Sequence, residues 1–535
     1  MKTFFASCFL LAAFCLGQAA DRPNVLFLFA DDWGRYASAY AESDPPGGIN
    51  EVVRTPHFDK LAQDGVLFRN AHVSAPSCTP CRSALLTGQH FWRTGTASIL
   101  LGAVWDDSLP TFPDLMRDAG YHIGYTYKVW GPGTPSNSPF TREESYGSAG
   151  GKFNGFSQNA TKAIASGQSV EAAKKTLLDE IRGNFRSFLK AREEGEPFLY
   201  WSGPTNVHRK WIKGSGKELW GIDPDELKGK MPPFLPDVHE VRQDLADYFG
   251  EIAAWDAAIG ALLEELEEIG ERENTLIVVS GDHGAPGFPY GKCNLYGFGT
   301  NVPLLIAGPG VKGGRLVEDF SSLTDLTPTF LESAKIDVPD AVTGRSLWPT
   351  LSSDKTGLVD KARTKVFTGR ERHVDTARAD FTPYPQRAIR TADHVLIVNF
   401  RPDRWPMGDP YLLEPGAVLD VNELENNTRL TLPDEDAGPT KAWLVGVRET
   451  EDWKEHFNWV YGKRPMYELY DLRKDPFETT NLADDPEYRE IRDSLEKELM
   501  TELRETGDPR LIDDGKFYET SPMTDPAPSR RRAKK

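Results

Sequence analysis

Residues 24–32 have the sequence NVLFLFADD, in which a mostly apolar run is followed directly by Asp31 and Asp32. A short continuous apolar run is typical of a β-strand that is buried on both faces. Further runs of this kind lie at 198–202, 275–280 and 302–306. They alternate with helical patterns, of which 241–269 is the longest. Because strands alternate with helices, we predict an α/β fold with a large mixed sheet flanked by helices.

The pattern changes after about residue 375. Strand-like segments at 388–400 and 466–471 and an amphipathic helical segment at 487–505 predict a smaller C-terminal α+β subdomain. The Pro- and Ser-rich end of the chain predicts a disordered tail. The predicted units are a large domain at 21–375, the subdomain at 376–518 and the tail at 519–535.

The first twenty residues, MKTFFASCFLLAAFCLGQAA, place Lys2 before an apolar stretch that ends in small residues. This pattern predicts a secretory signal peptide at 1–20, which is too short to span a membrane. We therefore expect an exported protein, periplasmic or secreted. The rest of the chain has no apolar run of about 18 residues, so we expect no membrane span.

The chain is acidic. Its 535 residues include 62 Lys and Arg against 80 Asp and Glu, a net charge of −18. This balance argues against general binding to nucleic-acid phosphates, so we expect no nucleic-acid partner. An anionic ligand would have to be held by a local cluster of positive groups or by a metal.

The segment at 78–88 has the sequence CTPCRSALLTG. Pro80 and the residues after it predict a helix start, which places Cys78 at the positive end of the helix, where an anion is favoured. Arg82, one turn further on, can face the same point. Two other interpretations are a CxxC redox pair made of Cys78 and Cys81, and ordinary helix packing.

In Cys78, Pro80, Arg82 and the terminal Thr-Gly, this segment resembles the signature of the type I sulfatases. Segments at 321–332, 343–351 and 468–486 also look like sulfatase sequence. The resemblance implies an alkaline-phosphatase-like fold, in which the large domain is catalytic. It also implies that a formylglycine-generating enzyme oxidises Cys78 to formylglycine. One hydroxyl of the hydrated aldehyde then attacks sulfur, and the other expels sulfate by reforming the aldehyde.

Asp31-Asp32 and Asp282-His283 each follow a buried apolar run, and open α/β sheets carry their sites at the carboxyl ends of strands. A single pair of this kind is more often a turn or a helix cap. The resemblance assigns one divalent cation, most often Ca²⁺, to Asp31, Asp32, the converted Cys78, Asp282 and His283. Oxygen ligands suit such a hard cation, while the imidazole leaves Mg²⁺ or Mn²⁺ open.

The resemblance also implies catalytic roles for Arg82, for Lys128 and Lys292 beside the sulfate, and for His208 as the proton donor to the leaving atom. Trp130 departs from the family pattern, which has a histidine in the segment Gly-Lys-x-His. Indole cannot accept a proton, so the usual base for sulfate release is missing or is supplied from elsewhere.

The sequences VHRKW, YPQRAIR and GKCNLY look most similar to N-sulfoglucosamine sulfohydrolases. This resemblance implies a sulfated saccharide substrate, cleaved at an S–N or an S–O bond. We predict His373 and Arg387 as substrate contacts, with a structural role open for each. The alternatives are a phosphoester or phosphonate hydrolase on the same core, a catalytically silent glycan-binding relative suggested by Trp130, and a thiol-disulfide protein.

Overall fold

The computed structural model describes residues 22–520, whose strands form two separate sheets. The predicted signal peptide at 1–20 lies outside the described residues, as does the predicted tail beyond residue 520. Within the described part of the chain, no helix combines the length and the apolar composition that a membrane crossing needs.

The large sheet has seven strands. They are β1 (Asn24–Ala30), β2 (Val66–His72), β3 (His122–Tyr127), β4 (Phe198–Gly203), β5 (Thr275–Gly281), β6 (Leu304–Ala307) and β7 (Arg315–Ser322). Their order across the sheet is β3-β4-β1-β5-β6-β2-β7. Of these seven, β6 runs against its neighbours β5 and β2, and every other adjacent pair is parallel. The prediction of a large mixed sheet is confirmed.

Helices cover both faces of this sheet, and others pack against the second sheet. They are α1 (Pro56–Asp64), α2 (Cys78–Thr87), α3 (Phe112–Asp118), α4 (Phe156–Ala165), α5 (Val170–Ala191), α6 (Ser215–Trp220), α7 (His239–Glu268), α8 (Gly297–Thr300), α9 (Leu326–Ser333), α10 (Trp348–Leu351), α11 (Val421–Asn426), α12 (Pro439–Val447), α13 (Lys454–Tyr461), α14 (Arg489–Glu505), α15 (Pro509–Ile512) and α16 (Lys516–Glu519). Because side chains alternate along a strand, Val25, Phe27 and Phe29 of β1 pack against α2, α3 and α9. Leu26 and Leu28 face α5 and α7 on the opposite side.

The small sheet is antiparallel and has the order β11-β10-β9-β8. Its strands are β8 (Lys365–Arg370), β9 (Gln386–Thr391), β10 (His394–Asn399) and β11 (Tyr467–Asp471). The segment 388–400, which the sequence predicts as one strand region, contains the end of β9 and all of β10 in a hairpin. The edge strand β8 precedes residue 375, so the small sheet begins earlier in the chain than the predicted subdomain.

Candidate active site

Four neighbouring strands of the large sheet end at the same edge because β3, β4, β1 and β5 are parallel. Lys128 follows β3, Asp31 follows β1 and Asp282 follows β5, while His208 lies in the loop after β4. Loops at the carboxyl ends of strands are where open α/β sheets place their functional groups. The fold therefore brings together side chains from four distant parts of the sequence.

Helix α2 begins at Cys78 and directs its amino end at this edge. All ten of its residues are buried, and it ends at Gly88, whose φ of 64° is left-handed. The Sγ atom of Cys78 lies 3.4 Å from Nε2 of His283 and 3.9 Å from Oδ1 of Asp32. Burial and the nearby Asp31 raise the pKa of the Cys78 thiol well above its usual range. Without a bound cation, an unmodified Cys78 is therefore a neutral thiol and a poor nucleophile.

Three acidic side chains and one imidazole surround Cys78. Nε2 of His283 lies 3.1 Å from Oδ1 of Asp32 and 3.6 Å from Oδ1 of Asp282. Ligand atoms of Asp32, Cys78 and His283 lie within 4.8 Å of one another, as do those of Asp31, Cys78 and Asp282. Buried carboxylate oxygens at this density suit a hard divalent cation, so the residues present fit the ion that the resemblance implies.

Arg82 and Lys128 compensate the charge of the acidic cluster. Nε of Arg82 donates to Asp282 at 2.9 Å, and its Nη2 donates to Asp31 at 3.0 Å. Nζ of Lys128 contacts both carboxylate oxygens of Asp31, at 2.7 and 2.9 Å. Burial alone would raise the pKa of Asp31, but the charges of Lys128 and Arg82 hold that pKa well below its usual range. Asp31 is therefore an anion at neutral pH.

Lys292 and His208 form the opposite side of the cluster. Nζ of Lys292 lies 3.1 Å from Oδ2 of Asp32 and 3.3 Å from Nε2 of His208. Nδ1 of His208 lies 2.6 Å from the carbonyl oxygen of Arg209, a contact in which the ring nitrogen donates. This contact leaves Nε2 facing the cluster. The side chain of His208 is 33% exposed, so solvent or a ligand can reach it.

The sulfatase family model matches residues 23–336. The chain belongs to the sulfatase family. It is 29% identical to human N-sulphoglucosamine sulphohydrolase over 94% of both chains. It is 27% identical to an ulvan-active sulfatase from Formosa agariphila, over 91% of this chain and 76% of that protein. A protein solved in complex with its substrate, D-glucosamine-2-N,6-O-disulfate, has a similar fold, with a TM-score of 0.58 and 18% identity, covering 92% of this chain and 100% of the other.

Membership of this family confirms the predicted alkaline-phosphatase-like fold and the predicted activity, hydrolysis of a sulfate ester or a sulfamate. This family membership favours a hydrolase over a thiol-disulfide protein. Cys78, Cys81 and Cys293 are buried, and Cys81 packs into the core beside α3 and α9.

The two predicted substrate contacts of the sulfatase lie in different places. Nδ1 of His373 lies 2.7 Å from Oγ of Ser77, the residue before Cys78, so His373 borders the site. Burial and the charge of Lys292 lower the pKa of His373 to about 3, which keeps its imidazole neutral at neutral pH. Its contact with a substrate stays a prediction.

Arg387 is not brought to the cluster. Its side chain is 0% exposed, and its guanidinium donates to Asp508 at 2.5 and 3.0 Å and lies 3.0 Å from Glu371. Buried ion pairs of this kind occupy every face of the guanidinium fork, so no donor is presented to a saccharide. Arg387 instead holds β9 to the chain after α14.

Trp130 of the sulfatase points into the core. Its Nε1 donates to Oγ of Ser83 on α2 at 2.8 Å, and its ring packs edge-on against Trp105 with centroids 5.3 Å apart. The indole therefore supports the helix that carries Cys78. It does not take over the proton-accepting role of the histidine that the family pattern places there.

Sequence reasoning missed two residues that touch the cluster. The hydroxyl of Tyr248 on α7 donates to the backbone carbonyl of Asp32 at 2.8 Å. Oδ2 of Asp436 lies 3.2 Å from Nζ of Lys292. Tyr248 matches the apolar face of α7, and Asp436 stands in the acidic run PDED, a pattern typical of a solvated loop. Neither residue carries a local signal for a site.

Proposed function

We propose that this sulfatase removes sulfate from a sulfated saccharide with a formylglycine nucleophile made from Cys78. The observation that supports this most strongly is the position of Cys78, at the amino end of α2 and within 4 Å of Asp32 and His283. The hydrated aldehyde would supply the attacking hydroxyl and a second hydroxyl for release of sulfate. Conversion of a cysteine in this way requires a formylglycine-generating enzyme as a maturation partner.

We also propose that the acidic cluster holds one divalent cation. Ca²⁺ is the ion that we favour, ahead of Mg²⁺ and Mn²⁺. Asp31, Asp32, Asp282 and His283 would hold it together with the converted residue 78. When bound, such an ion supplies positive charge for the developing charge on the sulfate and the nucleophile. Arg82 meanwhile keeps Asp31 and Asp282 fixed and ionised, because its guanidinium contacts both carboxylates.

Lys128 and Lys292 would bind the sulfate group through their ammonium groups. Both ammonium groups already face the cluster, and each is held by a carboxylate, Asp31 for Lys128 and Asp32 for Lys292. Positive groups that are fixed before the substrate arrives stabilise a transferring anion without further reorganisation. In its imidazolium form His208 would donate the proton of Nε2 to the leaving oxygen or nitrogen, while Nδ1 donates to a backbone carbonyl.

An N-sulfated glucosamine is the substrate class that we favour. The support is the relative named N-sulphoglucosamine sulphohydrolase, which aligns over 94% of both chains. An O-sulfated polysaccharide is the second candidate, because a relative of similar identity is named as ulvan-active. Export is part of the proposal and rests on the sequence at 1–20.

The test uses protein expressed together with a formylglycine-generating enzyme. Sulfate release is measured from N-sulfated glucosamine, from O-sulfated glucosamine and from O-sulfated algal fragments, with an aryl phosphate beside them. We expect sulfate release that vanishes in Cys78→Ala, and faster release from the N-sulfated sugar. Faster hydrolysis of the phosphate would favour a phosphoester hydrolase, and no release from any sulfated sugar would contradict the proposal.

A further inference from the structure

The loop between α11 and α12 carries three consecutive acidic residues, and each of them contacts a different partner. Asp434 is buried and lies 2.6 Å from Nη2 of Arg370 and 2.7 Å from Nη2 of Arg378. Glu435 accepts a hydrogen bond from the hydroxyl of Tyr461 on α13 at 2.6 Å. These two anchors fix the backbone before the residue that follows them, and on its other side the backbone N–H of Ala437 donates to Oγ1 of Thr428 at 3.0 Å.

Asp436 is the third acidic residue, and its side chain reaches the active site. Its Oδ2 lies 3.2 Å from Nζ of Lys292, and its side chain is 18% exposed. That oxygen is buried and makes no hydrogen bond within the described residues. Its interaction with Lys292 is therefore an ion pair.

The ammonium of Lys292 has three polar neighbours. Oδ2 of Asp32 lies 3.1 Å away and Nε2 of His208 lies 3.3 Å away, with Asp436 as the third. Asp32 is shared, because its other oxygen lies 3.1 Å from His283. A lysine side chain has four rotatable bonds and needs more than one contact to stay in one conformation.

We propose that Asp436 is a positioning residue of this sulfatase, which holds the Lys292 ammonium between Asp32 and His208 where it meets the sulfate. The inference rests on the proposed function, since it assumes that Lys292 binds the transferring group. It also assigns the C-terminal part of the chain a role in the reaction. Residue 436 comes from beyond the large sheet, so the strand ends alone do not complete the site.

The experiment compares Asp436→Asn, Asp436→Glu and the control Asp403→Asn in the full, converted enzyme. Asp436→Asn keeps the shape of the side chain but removes its charge. We expect its kcat to fall at least about tenfold, with KM changed less than about threefold. The reason is that Lys292 is no longer held where it stabilises the transition state, while binding of the substrate is little affected. Asp436→Glu restores the charge and should recover part of kcat. Asp403→Asn removes the charge of an exposed aspartate that has no part in the site, and should stay within about twofold of the parent.

A second measurement asks whether Asp436 acts through Lys292. In a Lys292→Ala background, Asp436→Asn should change kcat by less than about twofold, because the group that it positions is gone. An equal loss in both backgrounds would overturn the proposal, as would an unchanged kcat or a rise in KM alone in the single variant. If the parent enzyme releases no sulfate, the proposed function is wrong. If the parent is active and Asp436→Asn leaves kcat unchanged, only this inference is wrong.

Discussion

The ammonium of Lys292 lies 3.1 Å from Oδ2 of Asp32, although 260 residues separate them in the chain. Asp32 follows β1 and Lys292 lies in the loop after β5, and these two strands are adjacent and parallel. Parallel pairing thus places an anion and a cation at one end of the sheet. Burial alone would lower the pKa of Lys292, but Asp32 and Asp436 raise it well above its usual value. Lys292 is therefore a cation at neutral pH.

The acidic cluster predicts stabilisation by a divalent cation. A ligand that binds only the folded state, at a concentration of about 100 times its Kd, adds about 2.7 kcal/mol to the free energy of unfolding. We expect Ca²⁺ to raise the Tm of chelator-treated protein, and Asp282→Asn to reduce this shift. The exposed Asp403→Asn is the matched control and should respond like the parent. A Tm that does not change with Ca²⁺, with Mg²⁺ or with Mn²⁺ would contradict the metal site.

The role of His208 predicts a dependence on the leaving group. Replacement by Gln should slow release from a saccharide sulfate by about 10² to 10⁴, because a poor leaving atom needs a proton. The same variant should lose much less with nitrophenyl sulfate, whose leaving group is stable as an anion. Initial rates on both substrates measure the effect, with His239→Gln at the start of α7 as the control. Equal losses on the two substrates would argue against proton donation.

The position of Trp130 predicts that restoring the family histidine does not restore a base. Trp130→His removes a buried ring that packs against Trp105 and bonds Ser83, so it should lower the free energy of unfolding by about 3 kcal/mol. Denaturant unfolding measures this loss, and Trp443→His at a half-buried position serves as the comparison. We expect no gain in kcat. A faster Trp130→His enzyme would show that the side chain can reach the nucleophile.

Buried Glu251 on α7 predicts a pH dependence of stability. Burial raises its pKa from 4.5 to about 7, although Ser157 and Asn206 donate hydrogen bonds to it. Because the folded state binds this proton more tightly than the unfolded chain, stability should fall as pH rises from about 4.5 to 7. Glu251→Gln should reduce this loss of unfolding free energy by up to about 3 kcal/mol. Unfolding free energies at several pH values measure the effect, with the exposed Glu268→Gln as control, and an unchanged slope would contradict it.

The sequence predicted the parts of the fold that local pattern determines. The apolar runs at 24–30 and 275–280 became β1 and β5 because a strand buried on both faces needs an unbroken apolar run. Strand β3 was missed, since its sequence HIGYTY includes His122 and Gly124. Gly124 is required by a neighbour on α5, because a Cβ there would lie 2.3 Å from the ring of Phe188. That requirement arises only when the helix packs on the sheet.

The candidate site divides in the same way. Cys78, Arg82 and the two Asp-led pairs stand in recognisable local patterns, and the structure brings them together. Asp436 has no such pattern, because its place beside Lys292 depends on how a distant loop docks. Arg387 shows the opposite case, in which a sequence resemblance marked a residue whose partners are internal carboxylates.

The central claim is that residue 78 reacts as an aldehyde hydrate and not as a thiol. Peptide mass spectrometry across residues 77–82 of enzyme expressed with a formylglycine-generating enzyme tests it most directly, when the converted fraction is compared with the rate of sulfate release in the same preparations. We predict that the rate rises in proportion to the fraction in which the sulfur of Cys78 has been replaced by oxygen. Full activity from protein that still carries an intact thiol at Cys78 would contradict the account.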